Sequence, residues 1–326
     1  MVRGDDPVRM KLRDPLVYII ILLLISLLVI PITRDPFYLY LSSLFMILSI
    51  FSLSYNILFG YAGLLSFGHA LFYAAGAYSL ALFTMNVLRD PFIGVLVALA
   101  TSTILAIAVG ALTLRHSKIY FAMLTLAFGM LLYALLIKWR SVTGGSDGIA
   151  GIPRSGFIVN IMDPVARYYF IYGAFALILI LLYLFHRSRY GLLIRGLGVN
   201  EDFMPYTGHS VYRLRMIAFI ISGSVAGVAG ALYALLMGVI TPDLAYWTTS
   251  AEPLVATLIG GSKFFAGPIL GSLIFIVITT LVARIADIWQ LMLGLILASL
   301  ILGSRGGIAE VVERIWRAGR SSGLRV

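Results

Sequence analysis

The sequence predicts an all-α, polytopic membrane protein of about ten transmembrane helices, some of them short or broken. Three observations carry that expectation. Hydrophobic residues make up 61% of the 326 and charged residues only 12%, with a mean hydropathy of +1.01; soluble globular chains hold roughly 25% charged residues. Apolar runs recur at about 20 residues, the helical length that crosses a hydrocarbon layer. Lys and Arg gather in alternate connections, as they do where one set of loops faces the cytoplasm.

The first run, LVYIIILLLISLLVI at 16–30, follows Arg9, Lys11 and Arg13. Its apolar core is long for a signal peptide and no small-x-small cleavage site follows, so it reads as a first helix with a basic cytoplasmic end. Further spans fall near 37–59, 65–88, 92–114, 119–138, 167–186, 214–239, 267–284 and 287–303, with a shorter apolar piece, EPLVATLIGG, at 252–261. With the N-terminus inside, 33–36, 89–91 and 139–166 lie outside, and 115–118 and 187–213 inside. The tail from Arg305 is basic and belongs inside, which requires an even number of crossings. The piece 252–261 is therefore expected to cross as a short or broken helix. On this topology Arg34, Arg89, Lys138, Arg140, Arg154, Arg167 and Arg284 are the outside cations, and the rest of the 24 are inside, the expected sign of asymmetry.

Two spans are broken by glycine: FGYAGLLSFGHALFYAAGAY at 59–78 and LIGGSKFFAGPILGS at 258–272. Irregular backbone at membrane depth requires protein or a water-filled cavity around it, and in transporters such breaks tend to lie near the path. Close packing of small residues is the alternative. Gly223, Gly227 and Gly230 differ from these. They share one helix face and read as packing glycines.

Several chemistries are excluded. The chain has no Cys, so it has no disulfide and no thiol chemistry. His69, His116, His186 and His209 are scattered without ligand spacing, and no metal or other cofactor is expected. GGSK at 260–263 lacks the first Gly and the spacing of a phosphate loop. The acids sit at termini, in loops or at helix ends; Glu252 and Asp287 lie near predicted boundaries. No catalytic cluster appears, which argues against a membrane enzyme. The pI near 9.8 reflects inside loops rather than nucleic-acid binding, because the aromatic residues lie in apolar runs. The chain reads as a path without its own motor.

The longest polar inside segment is SRYGLLIRGLGVNEDFMPYTGHSVYRLR at 188–215. Asn200 or Asp202 would cap a short helix there and Gly208 would end it. Pro205 fits the first turn of a helix capped at Asp202, Gly196 and Gly198 loosen the approach, and Phe203, Met204 and Tyr206 give an apolar face.

Six motifs in order, across about 54–303, resemble the branched-chain amino acid permease family of ABC importers, on the LivM side of its LivH/LivM pair. They are SYNILFGYAGLLSFGHALFYAAGAY (54–78), YFAMLTLAFGMLL (120–132), TGGSDGIAGIP (143–153), the stretch 188–235, TPDLAYWTTSAEP (241–253) and GGSKFFAGPILG (260–271). The resemblance implies one membrane subunit of an importer, surrounded by lipid in the plasma membrane; the charge-based topology above puts both termini in the cytoplasm. Its partners would be a second, LivH-like permease subunit, two ATPase subunits that hydrolyse the ATP, and an extracytoplasmic substrate-binding protein. Hydropathy and charge divide the chain into a cytoplasmic segment 1–15, a transmembrane domain 16–303 and a basic cytoplasmic tail 304–326, and the resemblance makes 16–303 a permease domain with a coupling loop at 187–213.

Arg195, Asn200, Glu201, Asp202, Gly208 and Arg213 are the residues expected to couple to the ATPase. Asn56, Gly60, Gly63, Ser66, Gly68, His69 and Tyr73 are expected on the translocation path; Tyr73 follows His69 by four residues and shares its helix face. Gly144, Gly145, Asp147, Gly148, Gly260, Gly261, Gly267 and Pro268 fall in the family-motif loops. Lys263 stands where the family has a small residue and reads as a topology signal. The substrate would be a branched-chain or related amino acid, with urea or another small amide as the alternative within the family. From outside it, the rival is a stand-alone channel or ion-coupled carrier, which the lack of carboxylates within the membrane opposes.

Overall fold

A computed structural model describes residues 15–116 and 118–282, together with Gly294 and the piece 307–310. The segment 1–14, the predicted span 287–303 apart from Gly294, Asp287 and the chain beyond 310 lie outside the described residues. Each predicted apolar segment from 16 through 282 is helical: α1 (Pro15–Val29), α2 (Pro36–Asn56), α3 (Ala70–Asn86), α4 (Pro91–Thr113), α5 (Lys118–Lys138), α7 (Pro164–Arg187), α9 (Val211–Met237), α10 (Trp247–Gly260) and α11 (Gly267–Val282). A single turn, α6 (Arg140–Thr143), and a short helix, α8 (Arg189–Val199), lie in connections. Five helices, namely α2 with the turn that follows it, α4, α5, α7 and α9, are long and apolar enough to cross a membrane.

Local chemistry sets the helix starts. Asp35, Asp90 and Asp163 each precede a Pro and cap α2, α4 and α7. The Asp90 carboxylate accepts from the amides of Phe92 (3.0 Å) and Ile93 (3.3 Å), and Asp163 from Val165 and Ala166, both at 3.1 Å. A capping carboxylate satisfies amides that no helical turn can reach, and Pro at the first position lacks the amide that would otherwise be orphaned.

The helix α9 is the centre of the molecule. Its apolar window is 78% buried, against 28% for α4 and for α5, so α4 and α5 form an outer layer. Packing follows from the small residues read in the sequence. A Cβ on Gly227 would fall on the Ser102 side chain of α4, one on Gly230 on the Tyr73 carbonyl of α3, and one on Gly223 within 2.9 Å of Ala106. The tyrosines of α7 secure α1: Tyr168 donates to the Leu27 carbonyl at 2.7 Å and Tyr172 to that of Leu24 at 3.2 Å.

The connections sort into two ends. At one, β1 (Ile149–Ala150) pairs antiparallel with β2 (Val239–Ile240). There Arg154 donates to the Leu235 and Leu236 carbonyls, both at 2.9 Å, and the Ile158 amide donates to Asp90 at 2.6 Å. At the other end, α8 packs beneath the turn that follows α2, and a Cβ on Gly60 would meet the Ser262 carbonyl. The chain leaves the first end at 239–240 and reaches the second by 262. The piece 241–246 and the 14-residue α10 together run between the two ends, so the piece expected at 252–261 is the later part of a longer passage that begins outside α-helix.

Candidate functional site

The polar segment 188–215 is ordered differently from the sequence expectation. Its helix, α8, begins at Arg189 with Ser188 as cap, the hydroxyl accepting from the Gly191 amide at 3.1 Å. Asn200 ends this helix instead of starting one. Gly196 and Gly198 therefore lie inside a helix and do not loosen an approach to it. The reason is contact: a Cβ on Gly198 would fall on the Tyr61 carbonyl. Close approach to the rest of the protein outweighs the poor helix propensity of glycine.

After α8 come a turn and one 3-10 turn, Pro205–Thr207, ended by Gly208 at φ 78°. Pro205 does occupy the first position of a turn. Gly208 takes the left-handed conformation that glycine adopts without penalty.

Of the residues expected to couple to an ATPase, Arg195 faces inward. It donates to the His186 carbonyl at 3.1 Å and to the Gly191 carbonyl at 3.3 Å, and its guanidinium lies 5.9 Å from the Tyr61 ring centroid. His186 Nδ1 is 2.7 Å from the Tyr61 hydroxyl. Glu201 accepts a 2.6 Å bond from Arg215, whose side chain is 9% exposed against 30% for Glu201; this ion pair ties the loop to α9. Asn200, Asp202, Gly208 and Arg213 are exposed. The expected apolar face divides: Met204 is buried, 3.2 Å from where a Gly196 Cβ would lie, while Phe203 and Tyr206 are 57% and 86% exposed, beside a Val199 that is 89% exposed.

The first glycine break begins as a π-helical turn, Ile57–Tyr61, and stays irregular to Gly68. Of the residues expected on a path, Asn56, Gly60, Gly63, Ser66, Gly68 and His69 lie at or beside this break and Tyr73 lies in α3. Gly63 has φ 67°, and a Cβ on Gly68 would sit on the Thr125 carbonyl of α5. Asn56, Ser66 and His69 are buried. His69 Nε2 lies 3.0 Å from the Ser54 hydroxyl, and its ring stacks on Phe51 at 5.4 Å. Among the described residues Asn56 Oδ1, Ser66 Oγ and His69 Nδ1 have no hydrogen-bond partner. Buried polar atoms left in this state are uncommon in folded proteins.

Tyr73 lies 4.5 Å from Phe51, ring to ring, and reaches a cavity of about 660 Å³ lined also by Tyr40, Tyr233 and Glu252. Phe51 and Tyr73 thus stand between this cavity and the polar break. Glu252 is in the second turn of α10, on the cavity wall, which corrects both its reading as a boundary residue and the expectation that the spans hold no carboxylate. No sequence signal gave its depth, because the crossing begins as irregular chain.

The motif loops are structural supports. Gly144, Gly145 and Gly148 have φ of 76°, 65° and 73°, and a Cβ on Gly148 would meet the Ile240 carbonyl. Asp147 pairs with Arg140 at 3.4 Å, with both side chains more than three-quarters exposed, a geometry that contributes little stability. Burial lowers the pKa of the Arg154 guanidinium, which is held on the last carbonyls of α9. At the second break, Gly261 has φ 103°. A Cβ on Gly260 would fall on the Gly267 carbonyl and one on Gly267 on the Gly261 carbonyl, so α10 and α11 close as a tight hairpin, with Pro268 in the first turn of α11.

Long apolar helices around a polar, glycine-broken centre define a polytopic α-helical membrane protein. The chain belongs to the family described as the branched-chain amino acid transport system / permease component, whose model matches residues 37–302. It is 31% identical over 283 residues to the high-affinity branched-chain amino acid transport system permease protein LivM of Escherichia coli, covering 78% of this chain and 65% of that protein. The Salmonella typhimurium protein of the same name is 30% identical over the same shares. The probable branched-chain amino acid transport permease protein LivM of Methanocaldococcus jannaschii is 24% identical, with 71% and 77% covered. The chain thus spans a little under two thirds of the length of the two bacterial relatives. No solved structure gave a significant match.

Proposed function

We propose that this chain is a permease subunit of an ATP-driven importer and forms half of the path for branched-chain or related amino acids. The second half would come from a LivH-like subunit, the energy from two ATPase subunits, and the substrate from an external binding protein. Family membership and the names of the relatives support the substrate class. The observation that carries the mechanism is the position of α8. It lies against the turn that opens the glycine break, through Gly198 on the Tyr61 carbonyl and the Arg195 guanidinium 5.9 Å from the Tyr61 ring centroid, and it leads into the exposed side chains of Val199, Phe203 and Tyr206. An ATPase gripping those side chains would push on α8, which passes the displacement to the backbone at 57–61 through the Gly198–Tyr61 contact. The buried, unpartnered polar atoms of Asn56, Ser66 and His69 fit a segment whose partners change when the path opens.

The test is uptake into proteoliposomes holding all partners. Labelled branched-chain amino acid should accumulate only with ATP and binding protein. Uptake by this chain alone, driven by an ion gradient, would show it to be a carrier. Orientation is checked separately. The sequence has no Cys, so Ser146→Cys should react with an impermeant thiol reagent from outside and His209→Cys only from inside. Reaction from the same side at both would overturn the topology.

A further inference from the structure

The cavity reached by Tyr73 lies among α2, α3, α9, α10 and α11, and much of its wall is aliphatic: Leu44, Ile47, Leu48, Val255 and Ile276. One carboxylate stands in it. Glu252 is exposed to the cavity and makes no hydrogen bond or ion pair among the described residues. Tyr73 and Tyr233 line the same cavity as Glu252, and their rings are 5.7 Å apart. Among the described residues the wall has no Lys, Arg or His. An ionisable group within a membrane protein is costly and marks a functional position by default. A carboxylate on an apolar wall is stable when a cation meets it.

We propose that Glu252, flanked by Tyr73 and Tyr233, binds the α-ammonium group of an amino acid in transit while the aliphatic wall holds its side chain. The chemistry matches each part. A carboxylate accepts strong, charge-assisted hydrogen bonds from an ammonium, tyrosine rings attract cations, and the cavity volume is that of a small-molecule site. The floor of Phe51 and Tyr73 puts the bound molecule directly above the polar break. The site deepens the importer reading and rests on it for the substrate class.

The test uses the assembled importer in detergent, with second permease and ATPases but no binding protein, and tritiated L-leucine as probe. Saturable binding is expected, weakened about ten- to a hundredfold by Glu252→Gln and largely restored by Glu252→Asp. The 2-hydroxy acid with the leucine side chain should compete about tenfold less well or worse. The site is overturned if Glu252→Gln binds leucine as tightly as the parent, if the hydroxy acid competes equally, or if a parent that transports leucine shows no binding. It is also overturned if the Glu252→Gln complex sheds its second permease on size exclusion, since Glu252 would then be an ion-pair partner of that subunit. Failure of the importer reading looks different: with binding protein and ATP present, the parent takes up neither leucine nor any other amino acid offered.

Discussion

Two interruptions of helix meet across α8, and they are held by opposite means. The break at 57–69 is buried and backbone-packed: Gly60 against Ser262, Gly68 against Thr125, Tyr61 beneath Gly198. The loop at 200–210 is exposed, fixed by one ion pair to α9 and one positive-φ glycine, with aromatic side chains outward. The first has no room for a side chain at several positions. The second has almost no neighbours. A chain with few polar groups thus keeps its irregular backbone inside the membrane by close packing, and spends its charges on irregular backbone outside. The first arrangement suits a segment that must open in a defined way, and the second suits a surface that a partner completes.

The contrast breaks most visibly at glycine. Gly68→Leu drives a side chain into the α5 backbone and is expected to cost about 3 kcal/mol or more, the upper range for overpacking. The expected readout is loss of monodisperse protein in detergent and a lower melting midpoint. Gly173→Ala in α7, where a Cβ meets nothing within 4 Å, should be neutral or stabilising by up to about 1 kcal/mol. If both variants behave alike, close packing is not what holds the break.

Glu201→Lys is next in size. It removes the partner of a largely buried arginine and adds a like charge. Full burial of such a pair would give about 3–5 kcal/mol; the 30% exposure of Glu201 brings the expected loss to about 1–3 kcal/mol. Transport should fall because the loop detaches from α9. The swap Glu201→Arg with Arg215→Glu separates two explanations. If it recovers substrate-stimulated ATPase activity and uptake, the pair acts within this chain. If it does not, Glu201 meets a partner.

The sequence disclosed the spans because a span is a one-dimensional feature, a run of apolar residues of fixed length. It also carried helix starts in the Asp-Pro pairs at 35–36, 90–91 and 163–164, a capping signal that hydropathy reading passes over. Sequence places the helix of segment 188–215 too late because Asn200, Asp202 and Gly208 look like cap residues, while glycines at 191, 196 and 198 look unlike a helix. Tertiary contact with Tyr61 and Phe185 decides that helix. Contacts such as Gly60 with Ser262 link residues far apart in the chain and leave no local pattern. The depth of Glu252 is hidden for another reason: the passage that holds it begins outside α-helix, at 241–246, and offers no apolar run to place it in.

Gly208 tests the loop's backbone alone. Its φ of 78° is left-handed, and nothing lies within 4 Å of a Cβ there, so strain is the only penalty. Gly208→Val is expected to cost about 1–2 kcal/mol, and Gly208→Asn much less, because asparagine visits this region readily. Transport by the Val variant should fall while the Asn variant keeps most of it. Equal activity would mean that the turn relaxes freely and that its shape is not read by a partner.

The smallest effect on stability should come from Phe203→Ala combined with Tyr206→Ala. Both side chains point away from the protein, 57% and 86% exposed, and surface changes of this kind usually stay within about 0.5 kcal/mol. Their rings lie 6.4 Å apart, which makes a compact aromatic surface on an otherwise polar loop. Truncated aromatic anchors at an interface cost about 2 kcal/mol or more of binding. The double variant should therefore melt like the parent yet release its ATPases in a pull-down and lose ATP-driven uptake. A variant that melts normally and still retains its ATPases would leave the patch without a partner and move the coupling contact elsewhere on the inside surface.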